Sequence, residues 1–283
     1  MQWEKDKTYQ IPLQRRASDS ERTGTDHVMT ILRSVRHMRE NLADNHSLHI
    51  LAASALLSPY HFHRVFRQVT RCTPHRFLTA WRMEEAKRLL ANQRTNVTDV
   101  CMQVGYTSVG TFTTQFTRMV GIPPTRFRQL MRQFGETSFG EAWVLAGCHT
   151  PDRAAAQVIG HVTADPDCGV LAVVGMFSSK LPQGPPAACA MVRVPGDAVF
   201  LDLPAGDYYP LTMSFPVTAT VREAMRSDAA CIGESTGAVH ITDGHPSRQR
   251  SFSVRVRRRL PIDPPLVLAV PLLLAVSRAD VTF

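Results

Sequence analysis

The chain has 283 residues, enough for two domains, and its formal net charge of +8 is unevenly held. Residues 28–133 carry 15 Lys and Arg against 5 Asp and Glu, whereas residues 1–27 balance at 5 and 5 and residues 134–283 carry 12 against 14. This lopsidedness argues against a generic solubilising surface and marks the middle block as an electrostatic footprint for a polyanion.

In chain order, residues 1–26 mix both charges with polar residues and lack the apolar core of a signal peptide, so they read as a loose leader. His27–Leu42 then places Ile31, Leu32, Val35, Met38 and Leu42 on one helical stripe. Next comes a repeat at an offset of 50 residues. Ser58, Phe62, Phe66, Pro74, Arg76 and Phe77 recur as Ser108, Phe112, Phe116, Pro124, Arg126 and Phe127, six identities in 20 aligned positions, so one supersecondary unit is used twice. Each copy reads as a helix-turn-helix. The first has a short helix at Leu48–Ser54, a turn, and a second helix with Ser58 as N-cap and Pro59 at its first position. The second runs Val97–Val104, turns at Gly105 and restarts at Ser108. A longer helix, Thr73–Ala91, joins the two, and Pro124–Gln133 closes the second unit, for about seven helices in all.

At 100° per residue the helix after Ser58 divides into Phe62, Val65, Phe66 and Val69 on a core face and Tyr60, His63, Arg64 and Arg67 on an outer face. An aromatic, a histidine and two arginines along one exposed face suit the DNA major groove, where arginine pairs bidentately with guanine. The helix after Ser108 keeps Phe112, Phe116 and Met119 inward and offers Gly110, Thr113, Thr114, Thr117 and Arg118 outward, short side chains with less discriminating base chemistry. The first motif is therefore expected to read bases and the second, with Arg118, mainly to anchor phosphates. His61 and His63 are two apart on a helix and point in different directions, so no metal is expected.

These residues resemble the DNA-binding domain of the AraC/XylS transcription regulators. The resemblance rests on Ser58, Phe62 and Phe66, on Pro74, Phe77 and Arg82 followed by Ala86, Leu89 and Leu90, and on the run Val104-Gly105-Tyr106 with Ser108, Phe112, Phe116, Gly121-Ile122-Pro123-Pro124 and Phe127-Arg128. It implies a monomer that places two recognition helices in successive major-groove segments of double-stranded DNA. By the same resemblance Tyr60, His63 and Arg64 of the first helix and Val109, Gly110, Thr113 and Thr114 of the second are the base-reading candidates. RNA polymerase is the further partner implied for an activator.

Past residue 134 the pattern turns from helical to β. Strands are expected at Gln157–Thr163, Val170–Phe177, Ala188–Val194, Ala198–Leu203, Tyr208–Phe215, Ala238–Thr242 and Ser251–Leu260, arranged as an antiparallel β-sandwich. In the last of these Phe252, Val254 and Val256 share one face, opposite a solvated arginine row. The stretch Val199–Tyr209 resembles the strand–turn–strand of carboxypeptidase regulatory-like, transthyretin-type sandwiches, which implies an accessory module for self-association, effector sensing or protein interaction. Gly233-Glu-Ser-Thr-Gly237 matches a nucleophile-elbow pattern, with Asp243 and His245 downstream, but lacks the strand–serine–helix context, so no enzyme activity and no cofactor are expected. The six cysteines lie far apart without zinc-type spacing and are expected as reduced thiols of a cytoplasmic protein, with no structural disulfide. The apolar run 264–276 is broken by Pro271 and is too short to span a membrane. The resulting plan is a leader (1–26), a tandem helix-turn-helix domain (27–133) able to fold and bind DNA alone, a linker (134–150), a β-domain (151–276) and a tail (277–283).

Overall fold

The computed structural model describes residues 19–92, 94–141, 153–179, 184–226, 230–235, 237–242, 250–265 and 267–269. Most of the expected leader, residues 142–150 with Cys148, the pair Asp243 and His245, and the tail lie outside them.

The basic block folds as α1 (Asp19–Glu40), α2 (Leu48–Ser54), α3 (Pro59–Thr70), α4 (Pro74–Ala91), α5 (Val97–Gln103), α6 (Val109–Val120) and α7 (Pro124–Phe134). α1 starts ahead of the expected His27 because residues 19–26 contain no large apolar side chain, and periodicity cannot register a helix without one. Side-chain caps open α2 to α6: Ser47, Ser58, Thr73, Asn96 and Ser108 each accept a hydrogen bond from the backbone three residues on. Each motif has its own core. Phe62, Phe66 and Phe77 pack with Ile31, Val35 and Met38 in the first, and Phe112, Phe116 and Phe127 pack with Val100, Leu130 and Met131 in the second. α4 belongs to both cores, giving Phe77 and Leu78 to one and Ala80, Met83, Ala86 and Leu90 to the other. A helix buried on several sides cannot swing freely, so α4 fixes how the two units sit relative to each other.

The C-terminal part holds β1 (Val158–Ala164), β2 (Leu171–Phe177), β3 (Ala188–Arg193), β4 (Gly196–Phe200), β5 (Gly206–Phe215), α8 (Val221–Ala224), β6 (Cys231–Glu234), β7 (Val239–Ile241) and β8 (Arg250–Arg258). These strands do not form the expected two-sheet antiparallel sandwich. They follow one path, β3-β2-β5-β6-β8-β1-β4, whose end strands β3 and β4 are consecutive in sequence, so the sheet curls into a nearly closed form. β7 pairs with the start of β5, and β1 pairs with β8 in parallel, Val158 opposite Arg250. An even alternation of buried and exposed residues is compatible with either architecture, and strand direction is not written in it. β6 is absent from the expected set because four residues with a glycine third show no alternation. In β8 Phe252, Val254 and Val256 are buried as expected, Arg255 and Arg257 of the opposite face pair with Asp165 and Asp263, and Arg258 at the exposed end of the strand pairs with Asp167.

Cys168 and Cys231 form a disulfide with Cα atoms 5.8 Å apart, which corrects the expectation of reduced thiols. The turn after β1 and the start of β6 flank the same end of β8, since Asp165 N donates to Val256 O and Cys231 sits opposite Arg258. Sixty-three residues of separation hid that proximity. Cys72, Cys101 and Cys189 are free, and burial pushes the Cys72 thiol up to about 11.

The basic block and the sheet share buried surface. Val221 of α8, Met225, Val267 and Ala269 are built into the core of the second motif. Phe139, from the segment expected as a linker, packs with Leu171, Val173 and Phe215 on the outer face of the sheet. β2 is therefore buried on both faces. The seam is also tied by polar groups: Lys87 Nζ donates to Met225 O at 2.9 Å, Arg222 Nε to Glu136 at 2.7 Å and Arg222 Nη1 to Ala91 O, while Ala269 N donates to Val120 O at 3.2 Å. Among the described residues no helix is long and apolar enough to cross a membrane.

Candidate nucleic-acid interface

α3 rises from its Ser58 cap with Phe62, Val65, Phe66 and Thr70 buried. Burying that face leaves the opposite one to solvent. Tyr60 is 83% exposed, Arg64 and Arg67 are exposed and His63 is half-buried. These four predicted residues and Gln68 line an open groove of about 470 Å³. Gln68 was not among the candidates, although it stands four residues after Arg64 and so on the same helical face. His61 turns the other way, its ring edge-on to His27 of α1 at 5.8 Å, so the two histidines diverge as expected.

α6 has a different surface. Gly110, Thr114 and Arg118 are exposed and Thr113 is half-buried, whereas Val109 packs against the second core. A base-reading role carried to Val109 by resemblance therefore competes with packing. A Cβ built on Gly110 would meet only Ser108 Oγ, at 3.8 Å, so no internal packing demands glycine there and the surface stays flat for a close approach. Thr117 Oγ1 donates inward to Thr113 O at 2.8 Å and Arg118 Nη2 donates to Gln115 Oε1 at 2.9 Å.

The two turns that aim these helices are built alike. Leu57 N donates to Ala52 O and Tyr106 N to Cys101 O, each at 3.0 Å, and the residue before each donor is left-handed: Leu56 at φ 57° and Gly105 at φ 83°. Gly105 also needs the space, because a Cβ would come within 2.9 Å of Ala43 and of Arg82 Nη2. Arg82 is the positioning residue there, donating from Nε to Leu42 O at 2.8 Å and from Nη2 to Asp44 O at 2.9 Å. Burial lowers its pKa and raises that of neighbouring Tyr106, the charge of Arg82 working against the second shift. Leu56, by contrast, bears a branched side chain in a conformation that favours glycine, while 87% exposed. Leu56→Gly is expected to raise stability by about 1 kcal/mol in urea unfolding, by relieving the left-handed strain. A fall instead would show that the leucine side chain is engaged in the fold.

Ser235 follows β6, a largely buried strand, and so has one half of the nucleophile-elbow context. The other half differs: the next described element is strand β7, and Ser235 Oγ accepts from Gly237 N at 3.4 Å. Among the described residues no group of three or more His, Cys, Asp or Glu could hold a metal.

Residues 51–130 match the helix-turn-helix domain family. The chain is 27% identical over 96 residues to the probable transcriptional regulator LumQ of Photobacterium leiognathi, covering 34% of this chain and 39% of LumQ. It is 29% identical over 96 residues to the bifunctional transcriptional activator/DNA repair enzyme AdaA of Bacillus subtilis, covering 34% and 46%. Among solved structures, the DNA-binding domain of the global transcriptional factor AdpA in complex with a target DNA aligns at 29% identity over 37% of this chain and 94% of that one, with a TM-score of 0.36. The chain spans less than half the length of LumQ and AdaA.

Proposed function

We propose, from a basic block that is an AraC/XylS-type DNA-binding domain, that this chain is a sequence-specific transcription regulator acting in the cytoplasm, with α3 as the principal base reader and α6 as the principal anchor. The observation that carries the division is the contrast between the two outer faces. Tyr60, His63, Arg64, Arg67 and Gln68 give α3 long polar reach, whereas α6 offers Gly110, Thr113 and Thr114 with one guanidinium at Arg118. The C-terminal sheet is read as an accessory unit for self-association or effector sensing, and RNA polymerase as the partner if the chain activates. No enzyme activity is assigned, since the next described element after Ser235 is a strand and the matched region is the helix-turn-helix.

The test compares Arg64→Ala with Arg118→Ala on the preferred duplex, selected from random sequence, and on random DNA at several salt concentrations. Arg64→Ala should cost about 1–3 kcal/mol on the preferred site and relax preference at one base pair. Arg118→Ala should weaken both duplexes alike and lower the salt slope by about one ion. Equal losses on both duplexes for Arg64→Ala would favour a weakly selective, architectural DNA binder.

A further inference from the structure

A second cleft, of about 150 Å³, opens where the two motifs meet. His75, Arg76 and Thr79 of α4 form one wall and Gln115, Arg118 and Met119 of α6 the other. Only three residues separate the end of α3 from the start of α4, so the cleft joins the exit of the first recognition helix to the flank of the second.

Each wall's hydrogen bonds stay within its own helix. Thr79 Oγ1 is spent on His75 O at 2.8 Å. Gln115 accepts from Arg118 and donates to Met119 Sδ at 3.0 Å, which holds the Arg118 side chain against α6. His75, Arg76 and Arg118 are exposed on the rim. Among the described residues no carboxylate lines the cleft, in contrast to the arginines of the sheet surface, where Arg255, Arg257 and Arg258 each face an aspartate. Exposed guanidiniums on two walls of one small cleft favour an oxyanion there, and their forked donors match a phosphate geometrically.

We infer that this cleft seats a phosphodiester of the DNA backbone, in the stretch of duplex between the segments met by α3 and α6, with Arg76 and Arg118 donating from opposite walls and His75 at the edge. The inference rests on the DNA-binding reading and adds to it a contact that belongs to neither motif alone. Such a contact ties the segments met by α3 and α6 to one register on the duplex, because it exists only when both units lie on the same DNA.

The experiment uses the full chain and its preferred duplex, with single methylphosphonate linkages that delete one backbone charge at a time. Wild type should lose roughly tenfold in affinity at one or two central linkages, and Arg76→Ala should lose about as much on unmodified DNA yet be indifferent to those linkages. Arg76→Gln, which keeps the stem of the side chain, should behave as the alanine variant does, and thermal melts establish that both are folded. Wild-type binding with the same linkage profile in Arg76→Ala, Arg118→Ala and wild type would overturn the cleft while leaving the DNA-binding reading intact. Wild type that binds no duplex would overturn both. Saturable binding of inorganic phosphate that Arg76→Ala abolishes, without coupling to any linkage, would assign the cleft to a free ion and defeat the proposal.

Discussion

Glu84→Ala is expected to destabilise the folded chain by about 3–5 kcal/mol, because it removes the carboxylate that faces a buried ammonium. Lys87 is 2% exposed and Glu84 8%, and their charged atoms are 2.8 Å apart within α4. Lys87 also donates to the Met225 carbonyl just beyond α8, so the pair lies on the seam between the basic block and the sheet. Removing the carboxylate leaves the positive charge where water cannot easily reach it. Replacing both partners by apolar residues of similar volume, as in a Glu84→Leu and Lys87→Met double variant, should be close to neutral. Urea unfolding monitored by far-ultraviolet circular dichroism checks both; a loss below about 1 kcal/mol for Glu84→Ala would mean that the ammonium is solvated and the pair dispensable.

Residues 19–141 produced alone should retain the first motif and lose the second preferentially, by on the order of 4 kcal/mol, since each aliphatic side chain that loses burial forfeits roughly 1.5–3 kcal/mol. The first core draws only on α1 to α4 and the turns between them, whereas the second also needs Val221, Met225, Val267 and Ala269. This differs from the self-sufficient fragment 27–133 expected from charge and periodicity. Amide hydrogen exchange is the direct measurement. Protection in α6 and α7 should collapse in the fragment while protection in α3 persists, and equal protection of α6 in fragment and full chain would refute the dependence. DNA binding by the fragment should weaken accordingly, because a fraying α6 must be refolded at the moment of contact.

The basic block was legible because its signals are local. Ser58 and Ser108 announce helix starts, the paired phenylalanines fix the buried faces, and Tyr60, His63, Arg64 and Arg67 stand in one groove as the 100° spacing requires. Several of the seven expected strands overlap observed ones closely, β2 and β5 most clearly, since a short apolar run bounded by turn residues is also a local signal. What periodicity could not supply was anything set by distant pairing: the parallel register of β1 on β8, the Cys168–Cys231 bond, and the burial of Val267 and Ala269 among helices more than a hundred residues earlier. The apolar run after Pro264 showed only that it was apolar. Gln68 and Arg76 were readable in principle, one as a face-mate of Arg64 and the other as a repeated position, but a repeat announces shared architecture before shared chemistry.

The hydrogen bond from Ala269 N to Val120 O has a practical corollary for protein engineering. Reading heads of this kind invite transplantation onto foreign carriers, cut where the charge changes sign. Here that cut would leave an oily scar beside α6 and a carbonyl at its end stripped of its donor. A chimera carrying residues 19–141 alone would be prone to clump through that scar at the concentrations needed for display or reporter work. Solubility would return once polar residues replaced the apolar side chains of the head that meet residues 221–225 and 267–269, or once those two short segments travelled with the graft.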